Sequence, residues 1–266
     1  MTGVNLGGIE VKLIAHIKKE IYEKAGGGKL LSLIISGSHL YGFSSEDSDY
    51  DIRGIFLVDP HKILGLSRPK EVLEIKNFED EKYDIVIVEA SKEISLALNG
   101  NCNALEHFNA PTIYSTREYI ELRDAINNLF GKAGLYNSYK GMADFNYRKF
   151  IAQGRNTVKK YLYVFRGLMA GVYALDTGQI EANIEKLNQY FKFREVKELI
   201  GAKKSNKEND LLPGSIESGA LEDLIAKLHD RIDKAYIKSK LAEKTSEKDR
   251  ETVEKKLIQM RKAMLV

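Results

Sequence analysis

The sequence has few of the residues that stabilise small secreted or fibrous proteins. A single cysteine, Cys102, among 266 residues excludes an internal disulfide and provides too few thiols for a zinc ribbon or an iron–sulfur cluster. Four prolines, with 43% hydrophobic and 30% charged residues, indicate a globular chain rather than a fibre or a low-complexity tail. The longest apolar runs, 30–35 and 168–175, are far shorter than the roughly 20 residues of a membrane span. Residues 1–10 also lack a signal-peptide pattern, so we expect a cytoplasmic protein with no membrane partner.

Acidic residues are absent from one long segment. The net charge of the whole chain is only +3, which indicates no particular partner. Residues 145–175, however, contain no Asp or Glu, and they carry the basic residues Arg148, Lys149, Arg155, Lys159, Lys160 and Arg166. If 139–175 is one helix, Arg148, Arg155, Lys159 and Arg166 lie within about 20° of one line, opposite an apolar arc. We therefore expect a cationic helix face, with an ordinary solvated face as the alternative.

Strand patterns are confined to the first third of the chain. A helix is predicted over 9–24, ended by three glycines at 26–28, which we interpret as a turn. Four strands are predicted at 30–36, 50–58, 71–78 and 83–88, with a hairpin turn at 79–82 between the last two.

The rest of the chain has helical patterns. Beyond residue 136 only amphipathic stretches follow, at 139–175, 179–200, 221–240 and 246–264, and 203–213 is predicted to be a mobile surface loop. The sequence thus predicts an α+β fold, with a small mixed sheet in a domain of residues 1–135 and an all-helical domain of residues 136–266.

Two aspartates follow a Gly-Ser pair at a suggestive spacing. Gly37 and Ser38 end a buried strand, and Asp49 and Asp51 begin the next strand. Two aspartates at i and i+2 on a strand share a face, where their charges repel unless a cation lies between them. Carboxylate oxygens suit Mg²⁺, and backbone N–H groups and a hydroxyl at Gly37-Ser38 would suit phosphate oxygens.

A third carboxylate from a neighbouring strand would complete such a site. Asp84 is flanked by apolar residues in the strand 83–88, and strand parity favours it. Glu89, at the end of the same strand, is the alternative that the motif alone leaves open.

The strings Ser-Gly-Ser-His-Leu-Tyr-Gly at 36–42 and Ser-Asp-Tyr-Asp-Ile-Arg-Gly at 48–54 carry a family resemblance. They resemble the polymerase-β nucleotidyltransferase superfamily, whose hallmark is Gly-Ser, a spacer of about ten residues and Asp-x-Asp. The closer similarity is to the RNA-ligase-associated polymerase-β-like branch of bacteria and phages. Asp84 with Lys92, and the segments 139–143 and 159–166, also resemble that branch, and the resemblance covers residues 10–240.

The resemblance implies a mechanism with named roles. Asp49 and Asp51 would hold two Mg²⁺ (or Mn²⁺) ions on a nucleoside triphosphate, and Asp84 would hold one of them and help deprotonate the attacking hydroxyl. Gly37 and Ser38 would bind the β- and γ-phosphates. The reaction would be in-line attack on the α-phosphorus, with release of pyrophosphate.

Other residues of the site are predicted from the pattern itself. Arg53 shares the strand face of the aspartates, which predicts a phosphate or acceptor contact. Arg155 and Lys159 would form a cationic wall opposite the acids. Tyr161 and Tyr163 could stack on a base, or they could pack at the edge of the core.

The leading hypothesis for function is metal-dependent transfer of a nucleotide from a nucleoside triphosphate to a hydroxyl, on an RNA end in RNA repair as the family association implies. Two alternatives remain open. One is an antitoxin-like AMP transferase that modifies a protein side chain. The other is a module that binds nucleotide or RNA without turnover.

Overall fold

The fold is an α+β arrangement in which helices cover both faces of one sheet. The computed structural model describes residues 9–46, 48–66, 68–76, 78–79, 82–127, 129–205, 211–212 and 216–265. The strands are β1 (Gly28–Ile35), β2 (Tyr50–Val58), β3 (Val72–Ile75), β4 (Tyr83–Glu89) and β5 (Thr112–Ser115). The helices of the first half are α1 (Ile9–Ala25), α2 (Gly37–Tyr41), α3 (Pro60–Leu64), α4 (Ala90–Leu98), α5 (Cys102–Asn109) and α6 (Arg117–Ile126). Those of the second half are α7 (Lys132–Lys149), α8 (Val158–Thr177), α9 (Ile184–Phe191), α10 (Arg194–Ser205), α11 (Ser218–Lys238) and α12 (Glu247–Lys262).

The sheet is mixed, as the sequence predicts. Its strand order is β3-β4-β2-β1-β5. The pair β2–β4 is parallel, and the other pairs are antiparallel. The four predicted strands are confirmed, although β3 is shorter than the segment 71–78. The fifth strand, β5, was not predicted, because it has only four residues, all partly exposed, and no alternation to reveal it.

Two apolar cores lie on opposite faces of the sheet. On one face α1 contributes Leu13, Ile17 and Ile21 to a core that it shares with β1 and β3 through residues such as Leu33 and Leu73. The larger core joins the other face to the helices of both halves of the chain.

The helix α8 lies at the centre of the larger core. It packs against α7, α9, α10 and α11, and apolar residues cover most of its circumference. A helix that is apolar nearly all round is a buried helix, so α8 organises the helical part. After β5, the described residues form helices, apart from one isolated bridge between Thr157 and Leu211. The predicted domain boundary at 135/136 falls inside α7, and the division into two domains stays a prediction.

The prediction of a single helix over 139–175 is wrong. The chain forms α7 and α8, separated by a short 3₁₀ helix and a turn at Gly154, where φ is 76°. The side chain of Thr157 accepts a hydrogen bond from the backbone N–H of Lys160 and so caps a new helix. The cationic line of Arg148, Arg155, Lys159 and Arg166 therefore does not exist as one helix face.

Two further predictions in the second half need correction. The stretch 179–200 forms two helices, α9 and α10, because Lys192 adopts a left-handed conformation with φ of 60°. The segment 203–213 is not simply a surface loop, because α10 extends to Ser205 and the side chain of Lys203 is buried. Residues 206–210 and 213 lie outside the described residues.

Within the described ranges, none of the helices combines the length and the apolarity that a membrane span requires.

Candidate functional site

Asp51 and Asp84 lie side by side where β2 and β4 begin. They are register partners in the parallel pair, so their side chains project from the same face of the sheet. Arg53, two residues after Asp51, shares that face and contacts both carboxylates. Its Nη2 donates to Asp51 Oδ1 at 3.0 Å and to Asp84 Oδ2 at 2.8 Å. The structure thus brings two predicted acids together, with one guanidinium between them.

Burial and neighbouring charges act on Asp51 in opposite directions. Its pKa is raised, chiefly by burial and further by the negative charges of Asp84 and Asp49. The positive charges of Arg53 and Lys159 oppose that rise. Four charged groups of the predicted site therefore lie within electrostatic reach of one carboxylate.

Asp49 takes a different position from the other two acids. It lies just before β2 and is exposed. Across the described part of the chain, no three His, Cys, Asp or Glu side chains are gathered as a preformed metal-binding group. The predicted triad is consequently a bridged pair, Asp51 and Asp84, with Asp49 at the entrance to the strand.

The start of α2 fits closely against Asp51. Gly37 has φ of 60°, and a Cβ at this position would overlap Asp51 Oδ2. The backbone N–H of Ser36 donates to the carbonyl oxygen of Asp51 at 2.7 Å, and Ser38 is buried next to Gly37. The glycine of the Gly-Ser pair therefore lies in direct contact with the second aspartate of the motif.

Glu89 has a different set of partners from Asp84. It is buried at the far end of β4, where Arg261 Nη2 donates to its Oε1 at 3.0 Å. Its Oε2 accepts from the backbone N–H of Ser91 and so caps α4. Of the two acids left open by the motif, Asp84 is the one placed beside Asp51.

The basic residues predicted for the opposite wall are dispersed. Lys159 lies in the first turn of α8 and interacts with Asp51, whereas Arg155 is exposed in the turn that precedes this helix. Arg166 is fully buried, and its Nη1 donates to Glu106 Oε1 at 2.6 Å while its guanidinium lies 3.7 Å from the centroid of the Tyr41 ring. Arg166 is thus a residue of the interior, because α8 turns that side toward α5 and α2.

Tyr161 and Tyr163 lie in different environments. Tyr161 is buried within the core, so it offers no surface to a base. Tyr163 is partly exposed and packs edge-on against Tyr41 and Phe43, with ring centroids 6.0 and 5.6 Å apart. This geometry agrees with packing at the core edge, and a contact of Tyr163 with nucleotide stays a prediction.

Lys203 is a further candidate residue of the site, and it is absent from the site residues predicted from the sequence. Its Nζ donates to Ser45 Oγ at 2.8 Å, and Ser45 Oγ lies 3.1 Å from Ser48 Oγ. Ser48 immediately precedes Asp49, so α10 contacts the loop that leads to the acids. The spacing of Val196, Leu199 and Lys203 on the buried side of α10 would have revealed this lysine.

Comparison with known proteins places these features in a family. The chain matches the family model RlaP, described as the RNA repair pathway DNA polymerase beta family, over residues 10–259. This match extends further toward the C-terminus than the resemblance expected from the sequence.

Proteins similar to the chain include two curated relatives and a solved structure. It is 26% identical over 166 residues to the uncharacterized protein YcgL of Bacillus subtilis (strain 168), covering 60% of each chain. It is 29% identical over 154 residues to the uncharacterized protein MJ0002 of Methanocaldococcus jannaschii, covering 57% of this chain and 62% of the relative. Each match spans less than two thirds of the relative's length.

The solved structure is that of spectinomycin adenyltransferase AAD(9) from Enterococcus faecialis with ATP and spectinomycin. The TM-score is 0.44 at 15% identity, with 84% of this chain and 99% of that chain covered. The family match, which spans nearly the whole sequence, shows that the chain belongs to the RNA repair pathway DNA polymerase beta family.

Proposed function

We propose that this protein is a metal-dependent nucleotidyltransferase that transfers a nucleotide from a nucleoside triphosphate to a hydroxyl acceptor. The observation that carries the proposal is the pairing of Asp51 and Asp84 on adjacent parallel strands, against the start of α2 at Gly37. Membership of the polymerase beta family supports the same reaction class.

The donor set fits a divalent metal. The carboxylates of Asp51 and Asp84 already share one cationic group, so the space between them accepts positive charge. Mg²⁺ is usually held by one or two carboxylates together with substrate phosphates, which Asp51 and Asp84 would provide, and the negative charge of Asp49 acts on Asp51. A bound Mg²⁺ or Mn²⁺ would neutralise charge on the attacking and leaving oxygens.

The residues around the pair have distinct roles in this proposal. Asp84, whose side chain is 61% exposed, is accessible to an incoming hydroxyl and accepts its proton. Lys159 lies on the side of Asp51 nearest α8 and balances negative charge on the phosphates. Gly37 lies against Asp51 and Ser38 follows it in α2, where the β- and γ-phosphates would bind.

The acceptor that we propose is an RNA end. The end of α7 exposes Arg148 and Lys149, the turn that follows exposes Arg155, and Phe145 on α7 is 54% exposed. Exposed cations bind the phosphate backbone, and exposed aromatic rings stack on unpaired bases. The same turn leads into α8, whose Lys159 acts electrostatically on Asp51, so the chain connects the proposed RNA surface to the acids. The family description, which refers to an RNA repair pathway, supports this acceptor.

One labelling experiment separates the acceptor classes. The protein is incubated with Mg²⁺ and a nucleoside triphosphate labelled on its α-phosphate, in the presence of RNA or of cell lysate. Label on RNA supports the proposal, whereas label on polypeptide would identify the protein-directed AMP transferase. Tight nucleotide binding without any labelled product would identify a binding module instead.

The same assay tests the cationic turn. Replacing both Arg148 and Arg155 with alanine should weaken RNA labelling and reduce its salt dependence, because fewer phosphate contacts remain. Replacing Lys248 and Lys255 on α12 removes the same charge elsewhere and is the matched control. The cytoplasmic location remains a prediction from the sequence.

A further inference from the structure

Arg53 occupies the place between two acids that the proposed reaction assigns to a metal. We propose that its guanidinium is a built-in substitute for the divalent cation, so that metal binding must displace it from Asp51 and Asp84. This inference rests on the proposed function, and it assigns Arg53 a role before nucleotide arrives.

The hydrogen bonds of Arg53 define the substitute position. A single nitrogen, Nη2, contacts Asp51 Oδ1 and Asp84 Oδ2 at 3.0 and 2.8 Å. The other nitrogen, Nη1, donates to the backbone oxygens of Asp84 and Ile52 at 2.8 and 3.0 Å. The guanidinium is therefore held across the two strands by both side-chain and backbone acceptors.

Charge makes the two occupants mutually exclusive. Two neighbouring carboxylates repel each other, and a cation between them removes that repulsion. A divalent ion and a guanidinium between the same oxygens would be like charges only a few ångströms apart, which is strongly unfavourable in a partly buried site. The metal and Arg53 therefore compete for Asp51 and Asp84.

A displaced Arg53 has an accessible path out of the site. Its own side chain is 21% exposed, and Asp84 on its outer side is largely exposed, so the guanidinium can leave without opening the core. The displaced guanidinium of Arg53 would instead donate bidentate, charge-assisted hydrogen bonds to phosphate oxygens of an incoming nucleotide. This exchange reconciles the observed pairing with the phosphate contact expected of Arg53 from the sequence.

The competition lowers the apparent metal affinity of the nucleotide-free protein. If the paired arrangement holds nine-tenths of the molecules, the apparent dissociation constant rises about tenfold, in inverse proportion to the fraction of molecules that remains available. Removing the guanidinium should restore that affinity.

The test measures Mn²⁺ binding to the nucleotide-free protein, by the loss of the electron paramagnetic resonance signal of free Mn²⁺. The Arg53→Met variant should bind Mn²⁺ about tenfold more tightly than the wild type. Arg117→Met removes the same charge from an exposed pair with Glu121 and should leave the affinity unchanged. Adding Asp51→Asn to Arg53→Met should abolish the gain.

The outcomes are unambiguous. An unchanged or weaker affinity of Arg53→Met overturns the proposal, and so does a gain that survives Asp51→Asn. Thermal unfolding checks that each variant is folded. If Arg53→Met does not fold, Arg53→Gln, which has an uncharged amide in place of the guanidinium, is used in the same measurement. Because no nucleotide or turnover is involved, failure of the transferase assay is a separate result.

Discussion

Gly37 determines how closely the start of α2 approaches the carboxylate of Asp51. Its left-handed φ and the overlap of any Cβ with Asp51 Oδ2 leave no room for a side chain. Gly37→Ala should push the carboxylate away and slow nucleotidyl transfer by about a hundredfold, since a displacement of about 1 Å has that effect on positioned groups. Steady-state pyrophosphate release measures the change.

Gly141 provides the control for that substitution. It lies on α7, and a Cβ added there meets no atom within 4 Å. Gly141→Ala should retain the wild-type rate and gain up to about 1 kcal/mol of stability, because alanine favours a helix. A wild-type rate for Gly37→Ala would show that Asp51 does not need its observed position.

At the scale of elements, one buried ion pair joins α8 to α5. Arg166 and Glu106 are both 1% exposed and lie 2.6 Å apart. Arg166→Met leaves the carboxylate of Glu106 buried without its partner, which should lower the free energy of unfolding by about 3–5 kcal/mol. Chemical denaturation measures this change in the free energy of unfolding.

An exposed pair gives the comparison. Arg117 and Glu121 form an i,i+4 pair on the surface of α6, so Arg117→Met should cost no more than about 0.5 kcal/mol. Replacing Arg166 and Glu106 together with apolar residues should recover much of the loss. Equal effects of Arg166→Met and Arg117→Met would contradict the interior role of Arg166.

The break between α7 and α8 shows where prediction of an element failed. The apolar periodicity continues through the break, and it favoured one helix over 139–175. The signals for a new helix were nevertheless present, since Gly154 permits a left-handed turn and Thr157 is a preferred N-cap residue. Had these turn and N-cap residues been weighted above the apolar periodicity, Arg148 and Arg166 would have been predicted to lie on different helices.

At the scale of the whole molecule, Lys203 connects the helical half to the loop before the acids. Lys203→Ala removes the hydrogen bond to Ser45 and leaves buried polar surface, so we expect a loss of about 1–3 kcal/mol in stability. We also expect slower nucleotidyl transfer, because the loop that ends at Asp49 loses its hydrogen bond to α10. Denaturation and pyrophosphate release measure the two effects.

The neighbouring lysine is a matched control. Lys204 is partly exposed and pairs with Glu185, so Lys204→Ala should change stability by less than about 1 kcal/mol and leave transfer unchanged. If Lys203→Ala and Lys204→Ala behave alike, the connection has no role in positioning the loop.

The whole fold was predictable to the extent that its signals are local. Apolar runs and alternation predict four of the five strands, and the Gly-Ser and Asp-x-Asp motif predicts one site that includes Gly37 and Asp51, which lie in contact. Features that depend on packing between distant segments were missed. The burial of Arg166 requires Glu106, and the bridge of Arg53 requires the register of β2 against β4. Neither the pairing with Glu106 nor the register of β2 against β4 can be predicted from residue spacing within one segment.

In the proposed mechanism, Asp51 and Asp84 together carry metal-dependent nucleotidyl transfer. The most direct test is Mg²⁺-dependent release of pyrophosphate by Asp51→Asn and Asp84→Asn, with Glu251→Gln on the exposed surface of α12 as the control. Each aspartate variant should lose at least about a thousandfold in rate, since metal stabilisation of the transition state amounts to several kcal/mol and each factor of ten corresponds to about 1.4 kcal/mol. The control should retain the wild-type rate. Pyrophosphate release at the wild-type rate by either aspartate variant would contradict the account.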